Sequence, residues 1–343
     1  MLRKTDIMTE IESRFVVRGV ENVEADADAC AALFNKATRD FYGVEEYSAE
    51  EMPIDWGFPN IDREKDVRLV FTREGQLVAY GECITETPFV RYWVWSKVAP
   101  DYFDQGLGSY LQAWAEQRIR ERLPEAPEGA KVFMRTDVAS VDERGQRFLR
   151  EHGFEQVRSF YRMVIDLNQP VPAPVIPAGL VIRTAQPNEK RAAIFAIRES
   201  FRDHFGFIET PFEEVYADYE QWMATDPHFD TSLIFVAMDG DEVAGVSLCY
   251  PHMEGYPGMG WVNQLGVRRA WRKRGLARAL LLHSFREFQQ RGFTACGLGV
   301  DAVNPTGAVR LYESAGMHVA RTSYTFDRVI REGEDLSLRE LAE

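Results

Sequence analysis

A basic turn in the second half of the chain combines residue types that suit an anionic ligand. Residues 268–278 include six basic residues and no acidic residue, although the whole 343-residue chain has a net charge of -14. Gly275 and Ala277 leave the backbone uncovered where an amphipathic helix is predicted to begin, and the N–H groups at a helix start favour a phosphate. The turn therefore predicts a pyrophosphate site. Its basic residues are Arg268, Arg269, Arg272, Lys273, Arg274 and Arg278.

Two common phosphate-binding motifs do not describe this turn. A Walker P-loop needs G-x-x-x-x-G-K-[ST], a string that the sequence lacks. A dinucleotide-binding turn needs G-x-G-x-x-G, whereas Gly275-Leu276-Ala277 lacks the required glycine pattern. The overall acidity of the chain disfavours nucleic acid as a partner, because the protein as a whole repels phosphate.

A second motif lies within residues 299–317. A strand is predicted to end near Asp301, and Asn304 is predicted to cap a short helix whose first residue is Pro305. Gly316 is predicted to end that helix. The residues expected to share one helix face are Ala308, Leu311, Tyr312 and Ala315.

Together these motifs resemble those of the GCN5-related N-acetyltransferase (GNAT) family. Residues 272–277 are similar to the family's R/Q-x-x-G-x-G/A motif, and residues 304–316 resemble its N-x-x-A-x-x-x-Y-x-x-x-G motif, with Ala308, Tyr312 and Gly316 at the motif's spacing and Asn304 one position further ahead. The resemblance implies that acetyl-CoA (coenzyme A) is the cofactor. It also implies direct transfer of the acetyl group to a primary amine of a small molecule, such as an amino sugar or a polyamine.

The resemblance also implies roles for individual residues. The turn would hold the pyrophosphate, the open backbone of the preceding strand would pair with the pantetheine amides, and Tyr312 would protonate the leaving thiolate as general acid. An ordinary half-buried tyrosine is the alternative interpretation of Tyr312. The residues implied to bind the cofactor are Leu265, Gly266, Val267, Arg272, Lys273, Arg274, Gly275, Leu276, Ala277, Arg278 and Asn304.

The sequence does not single out a general base. Many relatives carry a glutamate in the strand before the turn, where this chain has Asn263 and Gln264. Deprotonation of the amine through water is an equal alternative to a side chain. The side chains that remain candidates are His252, Glu254, Asp203, His204 and Asp301.

A proline-rich stretch divides the chain into similar halves. Residues 169–179 contain four prolines and predict an extended linker between domains at 1–168 and 180–343. Each half predicts the order β-α-β-β-β-α-β-α-β, with hairpin turns at Glu74-Gly75 and Asp239-Gly240. The predicted fold class is α/β (α+β), with two tandem GNAT-like domains. By resemblance, each is a mixed, mostly antiparallel sheet with a splayed central strand pair flanked by helices.

The first half keeps glycines at 106 and 108 but has lost the charge of the turn. Phe103 stands where the family has Arg or Gln, and one lysine and two aspartates give residues 97–108 a net charge of -1. Leu149 and Val141 align with the tyrosine and the asparagine of the second motif. We therefore predict a degenerate N-terminal copy and a catalytic C-terminal domain. This layout alone resembles that of the mycothiol synthases.

Residues 203–230 are predicted to form the acceptor side of the site. They contain seven aromatic residues and many carboxylates, which suit a cationic amine. The alternative is an amphipathic helix whose carboxylates face water. Two other functions remain open: a non-catalytic acyl-CoA-binding regulator, and acetylation of a thiol-cofactor precursor as in the mycothiol synthases.

Composition narrows the cellular setting. The four cysteines have no C-x-x-C spacing, so we expect neither a disulfide framework nor a metal site. The N-terminus has no apolar signal region, and no stretch is long enough for a membrane span, so a cytoplasmic protein without a membrane partner is expected. Acceptor identity, acyl-chain preference, oligomeric state and CoA binding by the first half stay open.

Overall fold

The computed structural model describes residues 4–50, 52–58, 60–304 and 306–338. The chain forms two compact units. The first comprises Met1–Val157 and Tyr324–Leu336, and the second comprises Arg158–Ser323 and Ser337–Glu343. The predicted linker at residues 169–179 lies inside the second unit. The units therefore divide between Val157 and Arg158, and the first unit also includes residues 324–336 from the C-terminal half.

The first unit has a sheet whose strands pair in the order β1-β2-β3-β4-β5. Asn22 begins the long helix α2 by accepting a hydrogen bond from the Ala25 amide, and Gly43 ends it in the left-handed conformation. Its elements are α1 (Lys4–Arg14), β1 (Val16–Arg18), α2 (Val23–Tyr42), α3 (Met52–Asp55), β2 (Val67–Phe71), β3 (Leu77–Thr85), β4 (Arg91–Val98), α4 (Leu107–Arg122), β5 (Val132–Ala139) and α5 (Glu143–Glu151).

The second unit repeats this plan with strands in the order β6-β11-β10-β9-β8-β7. Helix α8 packs its buried leucines and phenylalanines against one face of the sheet, and helix α6 packs on β9 and β10. Its elements are β6 (Glu155–Asp166), β7 (Leu180–Thr184), α6 (Lys190–Phe201), α7 (Phe212–Thr225), β8 (Ile234–Asp239), β9 (Glu242–Tyr250), β10 (Met259–Val267), α8 (Leu276–Gln290), β11 (Ala295–Asp301), α9 (Ala308–Ser314) and β12 (His318–Arg331).

Strand pairing explains where the units begin and end. Most of β6 belongs to the second unit because it pairs with β11 from Ala295↔Asp166 to Asp301↔Phe160. The end of β12 belongs to the first unit, where Asp327 accepts two hydrogen bonds from Arg135 at 2.7 and 2.8 Å. Side-chain periodicity does not reveal such long-range pairings, since it reports only which face of a strand is buried.

The predicted fold class is confirmed. In each unit, one parallel pair lies among antiparallel strands and separates after three residue pairs. The pair β4–β5 is in register from Arg91↔Phe133 to Trp93↔Arg135, and β10–β11 is in register from Met259↔Ala295 to Trp261↔Gly297. Both strands of each pair continue beyond these points, so a gap opens between their carboxyl ends.

Candidate functional site

A cavity of about 680 Å³ lies in the gap between β10 and β11 in the second unit. Its walls include residues 265–267 of β10, residues 298–301 of β11 and Phe160 of β6. The edge of β10 toward β9 is paired, with Leu265 opposite Ser247 and Val267 opposite Gly245. The opposite edge faces the gap, because pairing to β11 has already ended. Backbone groups on that edge are available to a ligand with amide groups.

The basic turn that follows β10 holds two residues in the left-handed conformation. Lys273 has φ 61° and Gly275 has φ 83°. Gly275 directly precedes α8, and a Cβ placed on it would have no atom within 4 Å. The start of α8 therefore presents its backbone N–H groups to open space, which is the arrangement that an anion needs.

The six basic residues of the turn divide into structural and available cations. Arg272 donates to the Val267 carbonyl at 3.0 Å, to the Ser200 carbonyl at 2.9 Å and to Asp203 at 2.5 Å. Arg268 lies over the Trp271 ring, 5.1 Å from its centroid. Lys273 and Arg274 are exposed and have no ion-pair partner in the described part of the chain. These two supply the available positive charge at the turn.

Asp203 is the anion that fixes the turn, rather than a base. It is 6% exposed and pairs with both Arg269 and Arg272. Hydrogen bonds from Arg269 outweigh burial and, with Arg272, lower the pKa of Asp203 to about 2. A carboxylate held in this way is a weak proton acceptor at neutral pH. Asp203 thereby links the end of α6 to the basic turn.

Tyr312 lies on α9 and lines the same cavity. It is 8% exposed, and burial raises its pKa to about 12. Its hydroxyl therefore keeps its proton across the physiological range. No hydrogen bond engages that hydroxyl among the residues that the structure describes, which leaves the proton available to a group in the cavity.

The prediction that Asn304 caps the helix is wrong. Helix α9 begins at Ala308 with Gly307 in the cap position at φ 75°. The Asn304 side chain instead accepts a hydrogen bond from the Thr306 amide at 2.9 Å and closes a turn before the helix. This turn competes with an earlier helix start, because the side-chain carbonyl of an asparagine can accept a hydrogen bond from the backbone amide two residues later. Pro305 lies outside the described residues.

Most of the predicted cofactor residues meet at the cavity. Arg274 is exposed outside its lining, and Arg278 donates to the Ser314 carbonyl at 3.4 Å. The structure thus brings both motifs to one cavity, although they are far apart in sequence. The predicted residues that line it are Leu265, Gly266, Val267, Arg272, Lys273, Gly275, Leu276, Ala277, Asn304 and Tyr312.

Sequence reasoning missed several residues of the cavity wall. Phe160 comes from β6, whereas Ser200 and Phe201 come from α6. Gly266 allows α6 to approach, because a Cβ on it would lie 2.8 Å from the Ser200 Cβ. His204 also lines the cavity, and burial lowers its pKa. The sequence names His204 among the candidate bases, and the structure places it on the cavity wall.

The predicted acceptor segment forms α7 and its flanking loops. Its aromatic side chains pack half-buried against the core, while Glu209 and Glu213 pair with arginines. Asp226 is the exception, because it faces the sheet and accepts hydrogen bonds from Trp222 at 3.0 Å and Tyr250 at 2.6 Å. The aromatic side chains still suit a cationic amine. Because Glu209 and Glu213 are neutralised by arginines, the segment gives less support to a strongly acidic wall.

The first unit repeats the backbone of the turn with the opposite charge. Asp104 has φ 61° and Gly106 has φ 84°, close to the values of Lys273 and Gly275. Asp104 pairs with Arg144 at 2.5 Å, and Leu149 is buried. The conformation that presents N–H groups is present, but an aspartate stands where the second unit has a lysine.

The described residues contain neither a membrane-spanning helix nor a cluster of metal-binding side chains. No helix among them has the length and apolarity to cross a membrane. Nor do three or more His, Cys, Asp or Glu side chains come together there in a way that could bind a metal ion.

Family and sequence comparisons agree with this geometry. The model of the acetyltransferase (GNAT) family matches residues 30–154 and 194–317. A mycothiol acetyltransferase from Thermobispora bispora is 30% identical over 68% of this chain and 74% of its own length. One from Geodermatophilus obscurus is 26% identical over 88% of this chain and 94% of its own length.

Solved structures resemble the whole chain as well. A GCN5-related N-acetyltransferase from Sphaerobacter thermophilus is 34% identical, with a TM-score of 0.78 over 96% of this chain and 99% of that one. A tandem GNAT protein from the clavulanic acid biosynthesis pathway has a TM-score of 0.69 over 93% of this chain and 100% of that one. At 14% identity, the second likeness shows the fold alone.

Proposed function

The chain belongs to the GNAT family of acetyltransferases, which use acetyl-CoA, and on this basis we propose that its C-terminal half acetylates a primary amine of a small molecule. The observation that carries the proposal is the convergence of both motifs on one cavity: the start of α8 and Tyr312 both border the gap beside the unpaired edge of β10. Such a gap suits a long ligand with an anionic end and amide groups along its length.

The residues present fit acetyl-CoA. Lys273, Arg274 and the N–H groups after Gly275 would hold the diphosphate, since the space beside Gly275 is open. The backbone of residues 265–267 would pair with the pantetheine amides. When bound, the cofactor supplies an activated acetyl group as a thioester. Arg272 would act through the turn that it braces rather than through a contact of its guanidinium.

Tyr312 is proposed as the general acid. Its raised pKa of about 12 keeps the phenol protonated, so it can deliver a proton to the departing sulfur at neutral pH. Burial strengthens the interaction, because few water molecules compete for the hydroxyl. A protein that only senses acyl-CoA has no need of such a group, which supports the enzyme over the non-catalytic alternative.

The acceptor is proposed to approach the face of the sheet covered by α7. Trp222 and Tyr250 border this face, with ring centroids 6.1 Å apart, and Asp226 provides a carboxylate beside them. An ammonium group is favoured by aromatic faces and by a nearby carboxylate. An amine on a thiol-cofactor precursor is the second candidate, supported by relatives that are mycothiol acetyltransferases.

For the first unit we propose a degenerate role without CoA turnover. Asp104 reverses the charge of its turn, and Leu149 offers no proton. This unit would then support the fold or shape the substrate site. A cytoplasmic location and the absence of a nucleic-acid partner stay predictions.

The proposal is tested by release of free thiol from acetyl-CoA in the presence of single amines. The amines are glucosamine, spermidine and a cysteinyl amino sugar whose thiol is blocked. We expect release above the amine-free rate with at least one, together with acetylated amine by mass spectrometry. Tight acetyl-CoA binding without release for any amine would favour the non-catalytic regulator.

A further inference from the structure

We propose that His252, oriented by Glu254, takes the proton from the acceptor ammonium. The inference rests on the proposed amine acetylation and assigns the base that the sequence left open. Strand β10 has Asn263 and Gln264 where a carboxylate would otherwise stand, and Gln264 accepts a hydrogen bond from Tyr219 at 2.6 Å. Neither amide can remove a proton from an ammonium group.

The position of His252 follows from strand register. The parallel pair β10–β11 separates immediately after Trp261↔Gly297, and the register of β9 and β10 shifts between Val262 and Gln264. Tyr250, the last residue of β9, pairs with Trp261. The chain therefore leaves β9 beside the narrow end of the gap, and His252 follows two residues later.

The loop after β9 folds back toward this same end of the gap. Arg162 of β6 lies 5.7 Å from the ring centroid of Tyr256 and 5.8 Å from that of Trp261. Tyr256 and Trp261 thus share one cation as a neighbour. Tyr256, which follows His252 and Glu254 in the same loop, therefore lies near Trp261, the last residue of the parallel pair.

The histidine has the fixed geometry of an oriented base. His252 Nε2 lies 2.8 Å from Glu254 Oε2, and the two side chains are 32% and 31% exposed. The imidazole of His228 stacks on His252 with ring centroids 4.3 Å apart and planes at 12°. A carboxylate partner orients an imidazole and stabilises its protonated form. Partial exposure leaves a route by which the proton reaches solvent.

The carboxylate of Asp226 links the proposed acceptor face to the loop residue His228, which stacks on His252. Asp226 accepts from Tyr250 and Trp222 on one oxygen and from the His228 amide on the other, at 2.8 Å. The other charged neighbour in this loop, Asp230, pairs with Arg291 at 2.7 Å. Glu254 and His228 thus contact His252 directly, and Asp226 joins Tyr250 to the same loop through the His228 amide.

The three other candidate bases lie beside other groups. His204 packs against Phe201 at the end of α6, with ring centroids 4.3 Å apart. Asp203 is held by Arg269 and Arg272. Asp301 accepts the Val303 amide at 2.9 Å and lies 3.5 Å from Arg158. Both aspartates stand at the wide end of the gap, near the turn rather than near the acceptor face.

Two side chains, His252 and Tyr312, account for the proton transfers of the reaction. The acceptor R–NH₃⁺ gives one proton to neutral His252 and becomes R–NH₂. That nitrogen forms the new C–N bond to the acetyl carbon as the C–S bond breaks, and the sulfur receives a proton from Tyr312. The amide nitrogen then loses its second proton, which returns to Tyr312 through water, while His252 releases its proton to solvent.

The kinetic test compares His252→Gln, Glu254→Gln and the matched control His283→Gln. His283 lies on α8 against Phe235, away from this loop. With the most active amine of the panel above, we expect His252→Gln to lower kcat/KM by about 100-fold. Its pH profile should rise without a plateau, as the free amine does, while acetyl-CoA affinity by calorimetry stays unchanged. A wild-type pH profile in His252→Gln would overturn the inference.

A second readout does not depend on turnover. The chain has six histidines, so 13C-labelled histidine gives few ring signals, which His252→Gln and His228→Gln assign. We expect Glu254→Gln to move the ring signals of His252 at a fixed pH, because it changes the hydrogen bond at Nε2, whereas His283→Gln leaves them in place. Unmoved ring signals in Glu254→Gln would refute the pair even if no amine is acetylated. If the wild-type protein acetylates no amine although this shift occurs, the proposed function fails instead.

Discussion

Arg272 of the basic turn and Asp203 of the loop after α6 form an ion pair at 2.5 Å. The arginine at the first position of the turn's motif therefore braces the turn, because it also donates hydrogen bonds to the carbonyls of Val267 and Ser200. The turn keeps its shape because a buried carboxylate and two carbonyls satisfy one guanidinium. The neighbouring cations Lys273 and Arg274 remain available to an anionic ligand.

Replacing the proposed general acid should separate catalysis from binding. We expect Tyr312→Phe to lower kcat by about 100-fold, because the sulfur then leaves without a proton donor. Calorimetry should find acetyl-CoA affinity within about twofold of wild type, since the ring is retained. Tyr110→Phe, a buried tyrosine of α4, serves as control. Equal kcat values in Tyr312→Phe and wild type would remove Tyr312 from the mechanism.

The pKa of the phenol adds a test of pH dependence. Burial raises the pKa of Tyr312 from 10.0 to about 12, so its protonated form persists to high pH. We expect no fall of kcat from loss of this proton between pH 8 and about 10, measured by thiol release at saturating substrates. The sign is fixed because a neutral acid loses activity only above its own pKa. A Tyr312-dependent decline below pH 9 would contradict the assignment.

Removing the two available cations should weaken cofactor binding. We expect Lys273→Gln with Arg274→Gln to raise the Kd of acetyl-CoA by about 10- to 100-fold, since each exposed cation contributes about 1 kcal/mol to a phosphate contact. The salt dependence of Kd should also decrease. Lys65→Gln, an exposed lysine of the first unit, is the control. Affinity that is indifferent to both charges and salt would count against a phosphate at this turn.

Loss of the brace should appear as a pH-dependent loss of stability. We expect Asp203→Asn to lower the free energy of unfolding by about 2 kcal/mol at pH 7, measured with urea. The pKa of Asp203 is lowered on folding from 3.8 to about 2, so its stabilisation is complete above about pH 4 and is lost as pH falls through about 2. The difference between variant and wild type should shrink over that interval.

Asp241→Asn, an exposed position in the β8–β9 hairpin, is the control for this measurement. It should leave unfolding unchanged at both ends of the pH range. A constant gap between Asp203→Asn and wild type down to pH 2 would show that the stabilisation is not electrostatic.

Matched glycines test which turn binds the cofactor. Gly275 and Gly106 have nearly the same positive φ, so valine strains the backbone at either position. We expect Gly275→Val to abolish acetyl-CoA binding and Gly106→Val to preserve it, with comparable losses of stability by thermal unfolding. Calorimetry on wild type should find one cofactor per chain. Two equivalent sites, or equal effects of both substitutions, would show that the first unit also binds.

Local patterns in the amino-acid sequence establish the individual elements and the chemistry that they carry. Glycine at 275 before an apolar-periodic stretch predicts the helix start, and α8 begins at Leu276. The hairpins and the splayed parallel pair followed from period-two patterns and from family resemblance. Helix α1 was missed because its apolar pattern is weak, and the Asn304 cap was wrong because a local asparagine turn competes with a helix start.

Which charges remain available to a ligand, and which unit each strand joins, depend on the folded arrangement. Spacing shows that six basic residues lie in one turn, but it cannot show that Arg272 forms an ion pair with Asp203, which lies far earlier in the chain. It cannot assign residues 158–166 to the second unit either, because that membership depends on pairing with β11. Local patterns report a residue's own element, whereas ion pairing and strand pairing are set by neighbours that folding brings from distant positions.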